Sequence, residues 1–300
     1  METFPNYGLI IFIFIFLNNL LLFSQFQLFN EFCVDESGKF TPNSFYQNNL
    51  NLLLSSLKNK SSSSLFDTHI VGQGTTNQIY GLYMCRGDLD LQQCHDCVGS
   101  SSLTIIQTCP VQKEAISWYL QCMIRYSNLD IFSTVEISPL SYAWRPQNVS
   151  NRVLFRAEIS KLMVGLVGQT AYNTSKGGYG IDKANVTSVE DVYVLMQCTF
   201  NILGSACESC LRVLIRNIES CCGITSLKLA MFSPSCWVRY EVVAHVEPFL
   251  SSTPSFENNF TTMSTPLSQG RSTASAVTSS CIYLISGLLI VVTMSFITTW

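Results

Sequence analysis

Four stretches of this chain repeat apolar residues at intervals of three and four. Tyr46, Leu50, Leu53 and Leu57 make one stripe, just after Thr41 and Pro42, and Phe155, Ile159, Leu162 and Leu166 repeat its spacing. Both read as helices with one buried face, the first opened by a proline. Cys207, Leu211, Leu214, Ile218 and Cys222 share a face in a third stretch; its counterpart, Cys94, Val98, Ile105 and Ile106, is interrupted by Ser100–Ser102. Short apolar runs rich in β-branched and aromatic residues predict strands at Ile79–Cys85, Val192–Cys198, Ile116–Tyr126, Leu227–Met231 and Trp237–Val243. Two helices and several strands, occurring twice without long strand–helix–strand spacings, predict an α+β protein. Its two tandem domains each pack two helices on one face of an antiparallel sheet.

The ends are patterned differently. Leu9–Leu17 (LIIFIFIFL), followed by Asn18, Asn19 and Leu20–Phe23, has the length of a signal-peptide core, although no Lys or Arg precedes it. Residues 1–30 are therefore read as a signal peptide. Ile282–Trp300 is uncharged, and as a helix rising about 1.5 Å per residue it would approach the thickness of a bilayer's hydrocarbon core. The small residues upstream, Ser272–Ser280, equally fit a lipid-anchor signal attached near Gly270–Ala274. A spanning helix and a glycolipid anchor both hold the body outside the cell. Ser251–Ser280 is rich in Ser, Thr, Pro and Asn, with only Glu257 and Arg271 charged, and reads as a stalk. The expected order is signal peptide (1–30), first domain (31–137), second domain (138–248), stalk (249–280) and anchor (281–300).

The thirteen cysteines turn two similar halves into a duplication. Cys85, Cys94, Cys97 and Cys109 recur at Cys198, Cys207, Cys210 and Cys222, each at an offset of 113; Cys122 recurs at Cys236, one residue further on. The text around them repeats as well: CMIRY (Cys122–Tyr126) against CWVRY (Cys236–Tyr240). Such cysteine density points to disulfides made in an oxidising compartment. Zinc is disfavoured because an eight-residue gap followed by a two-residue gap is not a metal-ligand grouping. Cys94 and Cys97 lie too close on one helix face to bridge each other, but can reach two neighbouring strands. Six cysteines still allow fifteen pairings. The second half has nothing matching Cys33 and gains Cys221 beside Cys222, so these two form a vicinal pair, bridge to another chain or stay thiols; Cys281 leaves the total odd.

Chemistry is harder to find. A net charge of −3 without any basic block argues against nucleic acid. Of three histidines, His95 is replaced by Glu208 in the second copy, and no G-x-S-x-G elbow accompanies His69 or His245. Asp88 and Asp90 correspond to Asn201 and Leu203, which removes a paired-carboxylate reading. No enzyme activity, cofactor or metal is expected. Sequons at Asn59, Asn148, Asn173, Asn185 and Asn259 are expected to face solvent and carry glycans. Trp118, Tyr119, Tyr126, Trp237 and Tyr240 lie near the last cysteines, and because side chains alternate along a strand, some are expected outside the core, where they could stack on sugars or form an interface.

GLYMCRGDLDLQQCHDC and VYVLMQCTFNILGSACESC, with MIRY and WVRYE, resemble the plant cysteine-rich extracellular domain of the ginkbilobin, or stress-antifungal, type. Two such domains with a membrane anchor and no kinase look like the plasmodesmata-located protein family. The resemblance covers Glu31–Val246. It implies Cys33–Cys109, Cys85–Cys94 and Cys97–Cys122 in the first domain and Cys198–Cys207 and Cys210–Cys236 in the second, leaving Cys222 without its partner and Cys221 unexplained. It further implies a plasma-membrane protein, facing outward at plasmodesmata, that regulates cell-to-cell traffic by binding. Membrane, wall proteins, polysaccharides and other copies of itself are its expected partners, with a carbohydrate-binding or antifungal defence protein as the alternative. Mannose-binding relatives use an Asn, an Arg and a Glu whose positions here hold Val34, Ile116 and Ser127 in the first copy; the second keeps Glu241 but has Ala230 at the Arg position.

Overall fold

The computed structural model describes residues 28–244, apart from 133, 145–148, 174–176, 222, 223 and 225. Residues 1–27, the stalk and the anchor segment, and with them Asn259 and Cys281, lie outside the described residues, as do Asn148, Cys222 and His245; Leu28–Asn30, read from the sequence as the end of the signal peptide, instead open the first strand of the first sheet. Among the described residues no helix is long and apolar enough to cross a membrane.

The first domain runs β1 (Leu28–Cys33), α1 (Phe45–Lys60), β2 (Phe66–Val71), β3 (Ile79–Cys85), α2 (Leu91–Thr108), β4 (Ala115–Tyr119) and β5 (Cys122–Ser127). The second repeats the order: β6 (Ser141–Trp144), α3 (Arg152–Tyr172), β7 (Tyr179–Thr187), β8 (Glu190–Cys198), α4 (Ser205–Cys221), β9 (Lys228–Phe232) and β10 (Cys236–Ala244). Each domain forms a five-stranded antiparallel sheet, ordered β1-β4-β5-β3-β2 and β6-β9-β10-β8-β7. The registers match as well: Cys85 stands opposite Cys122, and Cys198 opposite Cys236. The fold is thus α+β with two helices on each sheet. The run Ile116–Tyr126 is not one strand but a hairpin, turning at Leu120 and Gln121.

Local chemistry starts and seats the helices. The Ser44 side chain accepts from the Gln47 N–H at the start of α1, Asp90 and Gln93 form a reciprocal capping box on α2, and Asn151 accepts from Leu154 N–H on α3. Helix α1 buries Tyr46, Leu50, Leu53, Leu54 and Leu57, each large aliphatic side chain contributing about 1.5–3 kcal/mol. Gly81 lets α1 settle onto β3: a Cβ there would stand 2.7 Å from Leu53 Cδ2. In α3 the stripe shifts by one residue, with Met163 buried where Leu162 was expected and Leu162 half-buried. The serines that blur the α2 pattern are tolerated inside it: Ser101 and Ser102 are buried, and the Ser102 hydroxyl donates to the Val98 carbonyl at 2.7 Å.

The disulfides link these layers. Cys85–Cys94 and Cys97–Cys122 join α2 to the adjacent strands β3 and β5, and Cys33–Cys109 joins the end of β1 to the end of α2. In the second domain Cys198–Cys207 and Cys210–Cys236 join α4 to β8 and β10. Cys221 is the last residue of α4.

Candidate functional surfaces

The sheet faces turned away from the helices carry the chemistry, and most of that surface is not open. Met84, Trp118 and Met123 of the first sheet and Ala230, Phe232 and Trp237 of the second belong to one buried apolar cluster. The domains therefore pack sheet to sheet, with helices outermost. Trp118, Tyr119, Tyr126, Trp237 and Tyr240 are all buried, at 4% exposure or less. Of the two roles expected for those outside the helix-packed cores, Trp118 and Trp237 take the interface, and it lies between the two domains. Both faces of β4, β5 and β10 are covered: Tyr119, Tyr126 and Tyr240 face the helices, while Trp118 and Trp237 face the other domain.

Polar contacts fix the register of this seam. The Gln197 side-chain amide donates to the Cys85 carbonyl at 2.8 Å and accepts from the Gly87 N–H at 3.1 Å. Trp118 Nε1 donates to the Ser233 carbonyl at 3.4 Å, Asn30 Nδ2 to Ser141 Oγ at 2.9 Å, and Asn201 Nδ2 to the Phe132 carbonyl at 2.7 Å. The packing has an approximate two-fold character. Phe66 and Tyr179 hold equivalent places, opposite Met84 and Gln197, as do Gly87 and Phe200, 113 residues apart. Phe66 stacks on Phe200 with ring centroids 5.2 Å apart, while Tyr179 covers Gly87.

Two equivalent arginines have diverged inside this frame. Arg125 pairs with Glu114 at 2.6 Å and with Glu136 of the interdomain segment at 2.7 Å. Burial alone would lower its pKa, but these two carboxylates outweigh it and hold the guanidinium above its usual value. Arg239 is fully buried and donates to the Leu120 carbonyl at 2.9 Å. Burial, together with neighbouring Arg86, brings its pKa down to about 9.

The positions that bind mannose in relatives now have a physical setting. Ile116 and Ala230, at the arginine position, lie in the seam cluster, and Glu241 is paired with Lys228. Neither domain can offer that set of groups to a sugar. The acidic residues of the cysteine loop are structural: Asp88 pairs with Arg86 and Asp90 caps α2. His95 Nδ1 lies 3.0 Å from the Lys58 carbonyl, and His69 lies on edge strand β2, opposite Gly81. Among the described residues no group of His, Cys, Asp and Glu could hold a metal ion. Of the sequons within reach, Asn59 and Asn185 are exposed and Asn173 is half-buried at the end of α3.

Beyond the seam, part of the second sheet's face remains accessible. Lys228, Glu241, Tyr193 and Lys183 stand in cross-strand register on β9, β10, β8 and β7, forming one row. Lys183 lies 5.6 Å above the Tyr193 ring and pairs with Asp191 at 3.3 Å. Ile181, 43% exposed, flanks the row. An aromatic ring bordered by paired charges offers a partner both an apolar and a hydrogen-bonding surface. No motif marks these residues in the sequence, although the alternation of Asp191, Tyr193, Leu195 and Gln197 against Val192, Val194, Met196 and Cys198 places the first four on one face.

Comparison with known proteins decides the family. The model of the salt stress response/antifungal family matches residues 32–129 and again 144–243. The chain belongs to that family. Cysteine-rich secretory and receptor-like proteins are among its relatives. It is 34% identical over 220 residues to cysteine-rich receptor-like protein kinase 25 of Arabidopsis thaliana, covering 72% of this chain but only 32% of the kinase. It is 31% identical to cysteine-rich repeat secretory protein 8 of the same plant, over 80% of this chain and 90% of that one. An antimicrobial ginkbilobin-2-like protein of Castanea crenata is 33% identical over 72% of this chain and 88% of its own. Among solved structures, the tandem DUF26 ectodomains of the Arabidopsis thaliana cysteine-rich receptor-like proteins PDLP8 and PDLP5 share the fold. Their TM-scores are 0.62 and 0.61 at 24% identity, covering 71% and 72% of this chain and 97% and 99% of theirs.

Proposed function

We propose that this protein is a membrane-anchored, outward-facing regulator of cell-to-cell traffic at plasmodesmata that acts by binding and not by catalysis. The observation that carries the reading is a two-domain ectodomain, closed by a sheet-to-sheet seam and alike in fold to those of PDLP8 and PDLP5. In the sequence it is followed by a polar stalk and an uncharged nineteen-residue run, Ile282–Trp300. The structural employment of Asp88 and Asp90 supports a binding role. The row around Tyr193 is the surface we assign to partner contact. Imaging of the full chain, tagged just after the signal peptide, tests the proposal: puncta between adjoining cells are expected, and uniform wall labelling overturns it. Release by phospholipase distinguishes a glycolipid anchor from a spanning helix.

A second reading, a carbohydrate-binding or antifungal defence protein, is favoured by the Castanea relative and by the Tyr193 platform. It predicts that the secreted two-domain segment is retained by a wall or fungal glycan and that Tyr193→Ala abolishes retention. Failure to bind across a glycan array removes it.

A further inference from the structure

The end of α3 contains a feature the binding role does not use. Gly168, Gln169, Tyr172 and Asn173 line a shallow, open surface hollow of about 430 Å³. Gly168 forms its floor, and a Cβ there would meet nothing within 4 Å. Tyr172 is 58% exposed. The ring is held in place: its hydroxyl donates to Glu208 at 2.9 Å, Glu208 is fixed by Arg212 at 2.7 Å, and the helix end is tied down by the Gly204 N–H donating to the Ala171 carbonyl at 2.8 Å. A pre-positioned aromatic ring, a primary amide and open space over a glycine are the elements with which proteins hold a sugar ring. The fourth lining residue, Asn173, is itself the acceptor of the sequon Asn173-Thr174-Ser175.

We infer that the hollow is the seat of the protein's own glycan: the first N-acetylglucosamine attached to Asn173 folds back over Gly168 and packs against Tyr172 and Gln169. Asn59 stands on the exposed side of α1 and Asn185 is exposed on edge strand β7. The three sites therefore differ: a seated glycan at Asn173, and freely projecting ones at Asn59 and Asn185. A sugar held against the protein presents less of itself to trimming enzymes, so Asn173 retains oligomannose forms where the other two are processed to complex ones. The inference rests on export of the chain, as the proposed function does.

Site-resolved glycopeptide mass spectrometry of the full chain, made in plant cells, tests it. Asn173 is expected to be occupied and at least several-fold richer in oligomannose than Asn59 and Asn185. Tyr172→Ala should leave occupancy intact and bring Asn173 to the composition of the other sites. Gly168→Leu, which adds bulk where a Cβ meets nothing within 4 Å, should do the same while the Tyr172–Glu208 hydrogen bond is kept. Removing the sugar by Ser175→Ala should lower Tm by roughly 2–4 °C, with no matching loss when the sequons at Asn59 and Asn185 are removed. An unoccupied Asn173 beside occupied Asn59 and Asn185 overturns the seat alone; no sugar at any of the three overturns the extracellular reading with it. Identical processing of Asn173 in the parent and G168L proteins also overturns the seat.

Discussion

Tyr179 lies directly on Gly87: a Cβ added to that glycine would stand 2.4 Å from Tyr179 Cγ and 2.7 Å from its Cβ. The two residues belong to different domains, so this contact sets how closely the sheets approach. Gly87→Ala is expected to cost about 1–3 kcal/mol, the usual range for overpacking a closed site. Tyr179→Ala in the same background should return part of that loss. A double-mutant cycle on urea midpoints measures the coupling; additive effects would mean that the sheets do not meet there.

Gln197 holds the same seam through hydrogen bonds. Gln197→Leu leaves the Cys85 carbonyl and the Gly87 N–H without their interdomain partner, for which about 1–3 kcal/mol is expected. The loss should show as earlier exposure of Trp118 and Trp237, read by tryptophan fluorescence during denaturation. An unchanged midpoint would count against the bidentate contact.

Arg125 and its two carboxylates predict an asymmetric response. Arg125→Leu strands Glu114, whose side chain is 11% exposed, and should cost about 3–5 kcal/mol. Replacing Arg125 and Glu114 together by leucine should cost markedly less, because no buried charge is left unpaired. Thermal melts of the two variants decide between these outcomes.

Glu31 gives a pH dependence of defined sign. Burial raises its carboxyl pKa above the usual carboxylate value of 4.5, while hydrogen bonds from Thr108 and Ser117 oppose the shift. The folded state therefore binds this proton more tightly than the unfolded chain. The resulting stabilisation is complete below pH 4.5 and is lost as the pH rises through the folded-state value. Comparing urea midpoints from pH 4 to 7 should show this component in the parent protein and not in E31Q. Parallel profiles would refute the assignment.

The first domain has a bridge, Cys33–Cys109, that spans 76 residues, and the second has no described counterpart. Removing it as Cys33→Ala/Cys109→Ala should cost about 2–5 kcal/mol. Non-reducing melts of the parent and the double variant measure the loss.

The helical layers were legible in the sequence because Tyr46, Leu50 and Leu57, or Leu211, Leu214 and Ile218, need only one buried face and announce it by spacing. The seam was harder to see. In Ala115–Tyr119 and Cys122–Tyr126 successive side chains are nearly all apolar or aromatic, and a run without alternation is what burial on both faces produces. The aromatics stand out, but nothing in their order says that Trp118 and Trp237 face another domain while Tyr126 and Tyr240 face helices. The divergence of Arg125 from Arg239 was equally hidden. MIRY and WVRY are near-identical locally, and the difference comes from Glu136, Glu114 and Leu120, brought in by the chain from elsewhere. The turn at Leu120–Gln121 carries neither Gly nor Asn, so the hairpin had no local sign.

Because each sheet gives its second face to its neighbour, recognition of outside molecules falls to helix exteriors, strand edges and the strip beside Tyr193. Mutations on those regions meet few folding constraints. A lineage of such proteins can therefore change what it recognises by rewriting its rind, while the tightly fitted middle stays as it is.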